Sequence, residues 1–419
     1  MKNVEIAYGK SRLNLSVPES FDIIEPIFEP KLDNLDEKIL DAMKNPISSK
    51  PLRSLLNESS KIAISVCDIT RAQPRKIILE AIVDHIKDIV PPSNIKVLIA
   101  TGTHRPNTKE ELIDMLGERI LSTTNVINHN SSDKNNLSRV STSLNDVEVY
   151  LNSDWVNSDI KITTGFVEPH FFAGFSGGPK LVAPGLAGLE TIMNLHNYRR
   201  LKSEFSSWAE IDKNPIQQDV RTIAKESGVD FTLDVTLNKN QDITGVFAGD
   251  LVDSHNQACD YARKTAMVEV EEPYDLVLTS NSGYPLDQNL YQAVKGMSAA
   301  AQITKKGGQI LCFAECSDGI PNHGNFYSLL SSFTNPSEVK NKISKPDFHS
   351  QDQWQVQILS EIALNNSIHM FADGLTEKEM IDSFLKPEPN PQEFLNKIAG
   401  SDIKGCVLPE GPITIPYVG

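Results

Sequence analysis

The chain has no apolar run approaching a membrane span and no secretory leader pattern, so a membrane or exported protein is not expected. Cysteine is sparse and scattered: Cys67, Cys259, Cys312, Cys316 and Cys406 in 419 residues. Only Cys312 and Cys316 are close, and a C-x3-C spacing with no second pair argues against a structural zinc site. Reduced, mostly buried thiols in a cytoplasmic protein are the expectation. Positive charge is in deficit, with 40 Lys and Arg against 55 Asp and Glu and a formal net charge of −15. That argues against a nucleic-acid partner, which needs concentrated positive charge; a small anion needs only a local basic pocket. No G-x-G-x-x-G follows a first strand, which weakens a nucleotide-dependent oxidoreductase, and no H-E-x-x-H pattern marks a metal site. Gly174-Phe-Ser-Gly-Gly-Pro-Lys180 fails as a P-loop, because Pro179 has no N–H and Leu181 cannot bind magnesium. There is no internal repeat and no low-complexity tract.

What is present is the composition of a globular α/β protein, 39% hydrophobic and 23% charged. Its length implies two domains. Lys61–Cys67, Asn94–Ala100 and Asp159–Thr164 read as strands, with Arg75–Val90 and Lys109–Leu116 as helices between them. This alternation predicts βαβ units and a mostly parallel sheet, with ligands beyond the carboxyl ends of its strands. Phe231–Phe247 reads as two strands around Asn238–Asp242, and a helix follows over 253–267. Glu271–Pro273 is a plausible linker. Tyr274–Thr279, a helix over 287–303 and Gly308–Phe313 open a second α/β unit. The expected domains are 1–270 and 271–419, with the last strand, 407–419, free to pack back on the first.

Three polar clusters fall at predicted strand ends: Asp68-Ile-Thr-Arg71, Thr101-Gly-Thr-His104 and Gly165-Phe-Val-Glu-Pro-His170. Two histidines on different strand ends, His104 and His170, suit acid–base work on opposite faces of a carbon; the alternative is two unrelated loop histidines. Arg71 could fork onto a carboxylate or simply pair with Asp68. The glycines 174, 177 and 178 could turn backbone N–H groups onto an anion beside Lys180, or merely turn the chain. His196, in a helix beginning near Gly188, could ligate a metal only with donors supplied by a cofactor; otherwise it makes one hydrogen bond. Tyr291 and Lys295 share a helix face at i, i+4, either solvated or closing a carboxylate pocket. Trp354 reads as a core or interface residue. His85, His129, His255, His349 and His369 read as structural.

These motifs together resemble the nickel-pincer lactate racemase family. The resemblance spans nearly the whole chain: Asp68-Ile-Thr-Arg71, Ala100-Thr-Gly-Thr-His-Arg-Pro106, Glu168-Pro-His-Phe-Phe-Ala-Gly-Phe-Ser-Gly-Gly178 with Lys180, Met193-Asn-Leu-His196, Gly283-Tyr-Pro-Leu-Asp-Gln-Asn289 and Tyr291-Gln-Ala-Val-Lys-Gly-Met297. It implies a cytoplasmic protein of two α/β domains, each on a mostly parallel Rossmann-like sheet, with the active site in the interdomain cleft. It implies racemisation of a 2-hydroxy acid by proton-coupled hydride transfer. The implied cofactor is nickel held in a pyridinium-3,5-bisthiocarboxylic acid mononucleotide, tethered to Lys180. His196 would be the nickel ligand, and Gly174, Ser176, Gly177, Gly178 and Trp354 further cofactor contacts. His104 and His170 would be the acid–base pair, with Asp68, Arg71, Tyr291, Gln292 and Lys295 on the substrate. Its partners would be a small anionic 2-hydroxy acid and, transiently, the proteins that build the cofactor. Family members often carry arginine and serine where this chain has Pro179 and Leu181. Ile69 and the loop Asp318-Gly-Ile-Pro-Asn-His-Gly-Asn-Phe326 also depart from the lactate enzymes. A carrier or sensor that keeps the cofactor without turnover, and a conventional oxidoreductase, are the rival readings.

Overall fold

The computed structural model describes residues 1–144, 147–322 and 324–419; His323, in the loop 318–326, lies outside them. It divides into two compact units. One comprises residues 28–196 and 202–264, the other 1–27, 197–201 and 265–419. Among the described residues no helix is long and apolar enough to cross a membrane.

The first unit is built on a six-stranded sheet. Its spatial order runs Ile243–Gly249, Phe231–Leu237, Ile160–Phe166, Ile62–Cys67, Ile95–Ala100, Asn125–Asn128. Only the pairing of Ile243–Gly249 with Phe231–Leu237 is antiparallel. The strand Ile62-Ala-Ile-Ser-Val-Cys67 alternates large and small side chains, and a strand sends successive side chains to opposite faces. Ile62, Ile64 and Val66 pack with Ile78, Leu79, Ile82 and Ile86 of the helix Arg75–Ile86 in one core. On the other face Ser65 is small enough for the segment Gly178–Leu181 to lie against the strand, and its Oγ donates to the Leu181 carbonyl at 2.7 Å. The next helix, Lys109–Thr123, starts at a capping box of Thr108 and Glu111, and runs past the expected end through a kink at Gly117, whose φ is 78°.

The second unit carries an all-parallel six-stranded sheet ordered Lys386–Pro387, Ser367–Phe371, Thr304–Phe313, Tyr274–Ser280, Gly405–Leu408, Asp22–Ile23. Its two faces feed separate cores. Val277, Ile310 and Met370 join the helices Leu290–Ala301 and Gln353–Asn365. Leu276, Leu278, Leu311 and Phe313 face Val4, Ile6, Leu15, Val17 and Phe21 instead.

That second face corrects the expected 1–270/271–419 division. The hairpin of Lys2–Tyr8 with Ser11–Val17 and the edge strand Asp22–Ile23 cover a sheet whose strands lie more than 250 residues further on. Without them this face would keep only the cover of Leu395 and its neighbours on the helix Pro391–Ile398. Met267–Val270 also belongs to this unit and pairs in parallel with Ile415–Val418, so the chain end packs within its own unit. Phe21→Ala is expected to cost about 3–5 kcal/mol, because Phe21 is 1% exposed and its ring lies where Gly405 leaves out a side chain. Hydrogen exchange should show lost protection in Gly405–Leu408 and none in Ile62–Cys67. Equal loss in both would contradict this assignment of the N-terminal segment.

Candidate active site

Three parallel strands of the first unit, Ile62–Cys67, Ile95–Ala100 and Ile160–Phe166, lie side by side. The polar clusters singled out from sequence therefore share one sheet edge, and bonds from His104 to Asp68 and from Arg71 to Glu168 staple them. His104 Nδ1 donates to Asp68 Oδ2 at 2.7 Å, and Thr70 Oγ1 donates to Asp68 Oδ1 at 2.7 Å. Arg71 Nη1 donates to Glu168 Oε1 at 2.9 Å. The Asp68–Arg71 ion pair is thus replaced: each residue reaches across to a neighbouring strand's loop. Arg75, which no motif marks, is 6% exposed and donates from its guanidinium to the carbonyls of Cys67, Asp68, Arg71 and Gln73. It fixes the backbone that carries Asp68 and Arg71.

Beyond Phe166 the chain makes a short hairpin, Pro169–His170 against Gly174–Phe175, then a 3-10 turn Gly178–Leu181. Phe172, also missed from sequence, is the meeting point. Its ring lies edge-on to His170 at 4.5 Å between centroids and to His196 at 5.2 Å, and Lys180 Nζ sits 5.5 Å from its centre. His170, Lys180 and His196, 26 residues apart at the extremes, are brought around one ring. The Phe172 and Ala173 N–H groups point at His170 Nδ1, at 3.5 and 3.3 Å. That nitrogen therefore accepts, and the neutral ring carries its proton on Nε2. His104, with Nδ1–H on a carboxylate, has its lone pair on Nε2. The expected helix before His196 is present as Leu189–Leu195, with Gly188 before it and His196 at its end. His196 Nδ1 donates to the Ile192 carbonyl at 2.8 Å. A ligating imidazole is oriented by such a bond, with the lone pair on the other nitrogen. The residues thus fit a metal held by one protein imidazole, and no group of three or more His, Cys, Asp or Glu among the described residues offers a cage.

The glycine loop differs from an anion cradle. Gly174, Ser176, Gly177 and Gly178 are buried, and their polar groups turn inward: Ser176 N donates to Glu168 O at 2.9 Å, and Gly178 N to Asp234 Oδ1 at 3.1 Å. Gly174 is glycine because a Cβ there would lie 1.9 Å from the Glu210 carbonyl oxygen. Sequence marks glycines but not the direction of their N–H groups. His255, expected to be structural, lies under this loop, where its Nε2 donates to Ser176 O at 2.8 Å.

The remaining candidates belong to the second unit. Asn289 caps the helix Leu290–Ala301 through the Gln292 N–H. Lys295 Nζ donates to Gln292 Oε1 at 2.5 Å, an i, i+3 contact, and both residues are buried. Trp354 Nε1 donates to Tyr291 Oη at 2.7 Å, and Phe326, which opens the short helix Phe326–Leu330, packs edge-on to the Tyr291 ring. Trp354 is therefore bound to a predicted substrate residue and is more than core filling.

Residues 8–208 match the lactate racemase N-terminal domain and residues 269–415 the lactate racemase C-terminal domain. The lactate racemase of Thermoanaerobacterium thermosaccharolyticum is 35% identical over 422 aligned positions, covering 98% of both chains. The chain belongs to the lactate racemase family. Membership places it among the isomerases. The Lactiplantibacillus plantarum lactate racemase is 33% identical, covering 90% of this chain and 89% of its own. The apoprotein structure of the Thermoanaerobacterium enzyme superposes with a TM-score of 0.89 at 33% identity, over 99% of this chain and all of that one. A Thermotoga maritima protein shares the fold at a TM-score of 0.74 and 18% identity, over 94% of this chain and all of its own.

Within this lactate racemase family member two buried carboxylates respond oppositely to pH. Burial raises the Asp68 pKa, but His104, Thr70 and Arg75 outweigh it and bring it down to about 2. Burial raises Asp234 to about 7, against the weaker pull of the Gly178 N–H, Thr232 and the Gly165 N–H. A lowered acid stabilises the fold above its unfolded pKa, so the Asp68 contribution, about 2 kcal/mol, disappears as pH falls from about 4 to 2. A raised acid does the reverse, so stability is lost as pH rises from about 4 through 7 at Asp234. Urea unfolding should find Asp68→Asn destabilised at pH 6 and equal to wild type near pH 2. Relative to wild type, Asp234→Asn should be more stable at pH 8 than at pH 4. Matching pH profiles for both variants would refute these assignments.

Proposed function

We propose that this protein racemises a small 2-hydroxy acid, lactate being the substrate for which its curated relatives are named. The observation that carries the reading is the gathering of His170, Lys180 and His196 around Phe172, on the same sheet edge as the Asp68–His104 pair. A nickel-pincer mononucleotide, tethered through Lys180 and ligated by His196, would supply a reversible hydride acceptor for the substrate's α-carbon. His104 and His170 do the proton work. In one direction His104, with Nε2 able to accept and Asp68 stabilising the imidazolium, takes the hydroxyl proton. His170 acts from its imidazolium form, giving the Nε2 proton to the substrate oxygen on the opposite face of the planar 2-keto acid and remaining as a neutral ring. The reverse direction exchanges these roles, and solvent resets the rings.

Arg71, held by Glu168, and Gln292 with Lys295 are assigned to the substrate carboxylate, and Tyr291, steadied by Trp354, to the same ligand. Buried Asp68 acts through His104, which moves it from substrate contact to positioning residue. Ser176 and the three glycines shape the loop that presents Lys180. Such a tether requires proteins that make and deliver the nucleotide, and reduced buried thiols suit a cytoplasmic setting.

The test is chiral chromatography of L-lactate incubated with cofactor-loaded protein. His104→Ala and His170→Ala should each slow interconversion about 10²–10⁴-fold while nickel and nucleotide remain bound. Undiminished turnover in either variant would refute the acid–base pair. Absence of any turnover in loaded wild type, across lactate, malate and related 2-hydroxy acids, would favour the carrier reading.

A further inference from the structure

Two buried side chains beneath the Lys180 loop have no place in the proton chemistry. Asp234, on Phe231–Leu237, is fully buried and pairs in register with Gly165 of the adjacent strand. A Cβ at position 165 would lie 2.9 Å from Asp234 Oδ1, 2.9 Å from Leu181 Cδ2 and 3.1 Å from the Gly177 Cα. The side chain missing at 165 thus opens the space in which the loop comes down and Asp234 receives the Gly178 N–H at 3.1 Å. His255, on the helix Leu251–Ala266, is likewise fully buried. Its Nε2 holds the Ser176 carbonyl at 2.8 Å, its Nδ1 accepts from Arg221 at 3.2 Å, and its ring fills the space where Gly178 lacks a Cβ.

Two consecutive glycines with positive φ, Gly177 and Gly178, precede Pro179-Lys180. Such a segment has high intrinsic freedom and needs external restraint to present a side chain in one direction. The two clasps fall on either side of Gly177, at Ser176 and Gly178. Core packing alone does not call for a carboxylate here: an apolar side chain of similar volume would avoid the desolvation that raises the Asp234 pKa. Burial also pushes the His255 pKa down to about 3, with Arg221 and Lys180 adding to the effect, so its ring stays neutral and keeps one donor and one acceptor.

We infer that Asp234 and His255 are positioning residues that clasp the Ser176–Gly178 backbone and so hold Lys180 in the direction needed for its covalent modification. The inference rests on the reading of Lys180 as the attachment point, but its test can be read without it. Asp234→Leu removes the acceptor together with the buried charge and should fold; Asp234→Asn keeps an oxygen for the Gly178 N–H. His255→Leu and His255→Gln make the corresponding pair, since the Gln amide can replace the Nε2 donor. The first readout is the acylation rate of Lys180 in protein without cofactor, by peptide mass with an amine-reactive ester, normalised to Lys264 in the same digest. The second is the fraction of Lys180 loaded after expression in a cofactor-producing host.

The leucine variants should change the normalised Lys180 rate at least three-fold and lower loading at least ten-fold, with Asn and Gln restoring both to within about two-fold of wild type. Wild-type rate and loading in Asp234→Leu and His255→Leu would overturn the inference. So would an equal defect in Asp234→Asn and Asp234→Leu. If wild type itself carries no nucleotide, the attachment reading fails, and the normalised acylation rates still decide whether the clasps act on Lys180.

Discussion

The candidate site depends on one missing side chain. Gly165 closes the strand Ile160–Phe166 without a Cβ, and the chain that leaves this strand can therefore fold back flat on the sheet. Everything from Glu168 to Leu181 follows from that contact. The hairpin at His170, the burial of Ser176 to Gly178 and the bond from Ser65 to the Leu181 carbonyl all require the loop to lie close against the sheet. A larger residue at 165 would displace the loop from Asp234 and with it the lysine next to Phe172. Close packing leaves little room for such a shift to be absorbed locally.

Phe172 turns this packing into chemistry. A rigid aromatic ring has few internal degrees of freedom, so the three side chains that rest on it are constrained together. Its own position is set by its backbone: the N–H points to His170 Nδ1, and the carbonyl accepts from Asn214 Nδ2 at 2.9 Å. Hydrogen bonds to Nδ1 orient His170 and His196 at the ring, and His104 on the neighbouring loop. Asp68 and Ile192 accept from Nδ1 of His104 and His196, and two backbone N–H groups face Nδ1 of His170. Three imidazoles are thereby oriented by what lies behind them.

Much of this was legible in the sequence where it rests on local pattern. The strands at 62–67, 95–100 and 160–166 are apolar runs bounded by turn residues, and their order along the chain predicts the shared edge at which Asp68, His104 and His170 lie. The helix ending at His196 follows from its glycine start. Features that depend on distant pairing were not legible. An alternating N-terminal strand looks the same whichever sheet it covers, so the attachment of residues 1–27 to the second unit is visible only in the packing of Phe21, Val17 and Ile6. Arg71 and Glu168 are 97 residues apart, and nothing local opposes the nearer pairing with Asp68. The glycines suggested an anion cradle because composition says nothing of where an N–H points. His255 reads as structural for want of a motif, and its bond to the Ser176 carbonyl, 79 residues away, is visible only in the fold.

The central claim is that Lys180 carries the cofactor with His196 as its protein ligand to nickel. The most direct measurement is intact-protein and peptide mass, with nickel analysis, on protein from a host that makes the pincer nucleotide. The account predicts a mononucleotide adduct on the Lys180 peptide and nickel near one per chain in wild type, with nickel lost and the adduct retained in His196→Ala. An unmodified Lys180, in a host where a family relative is modified, would contradict it.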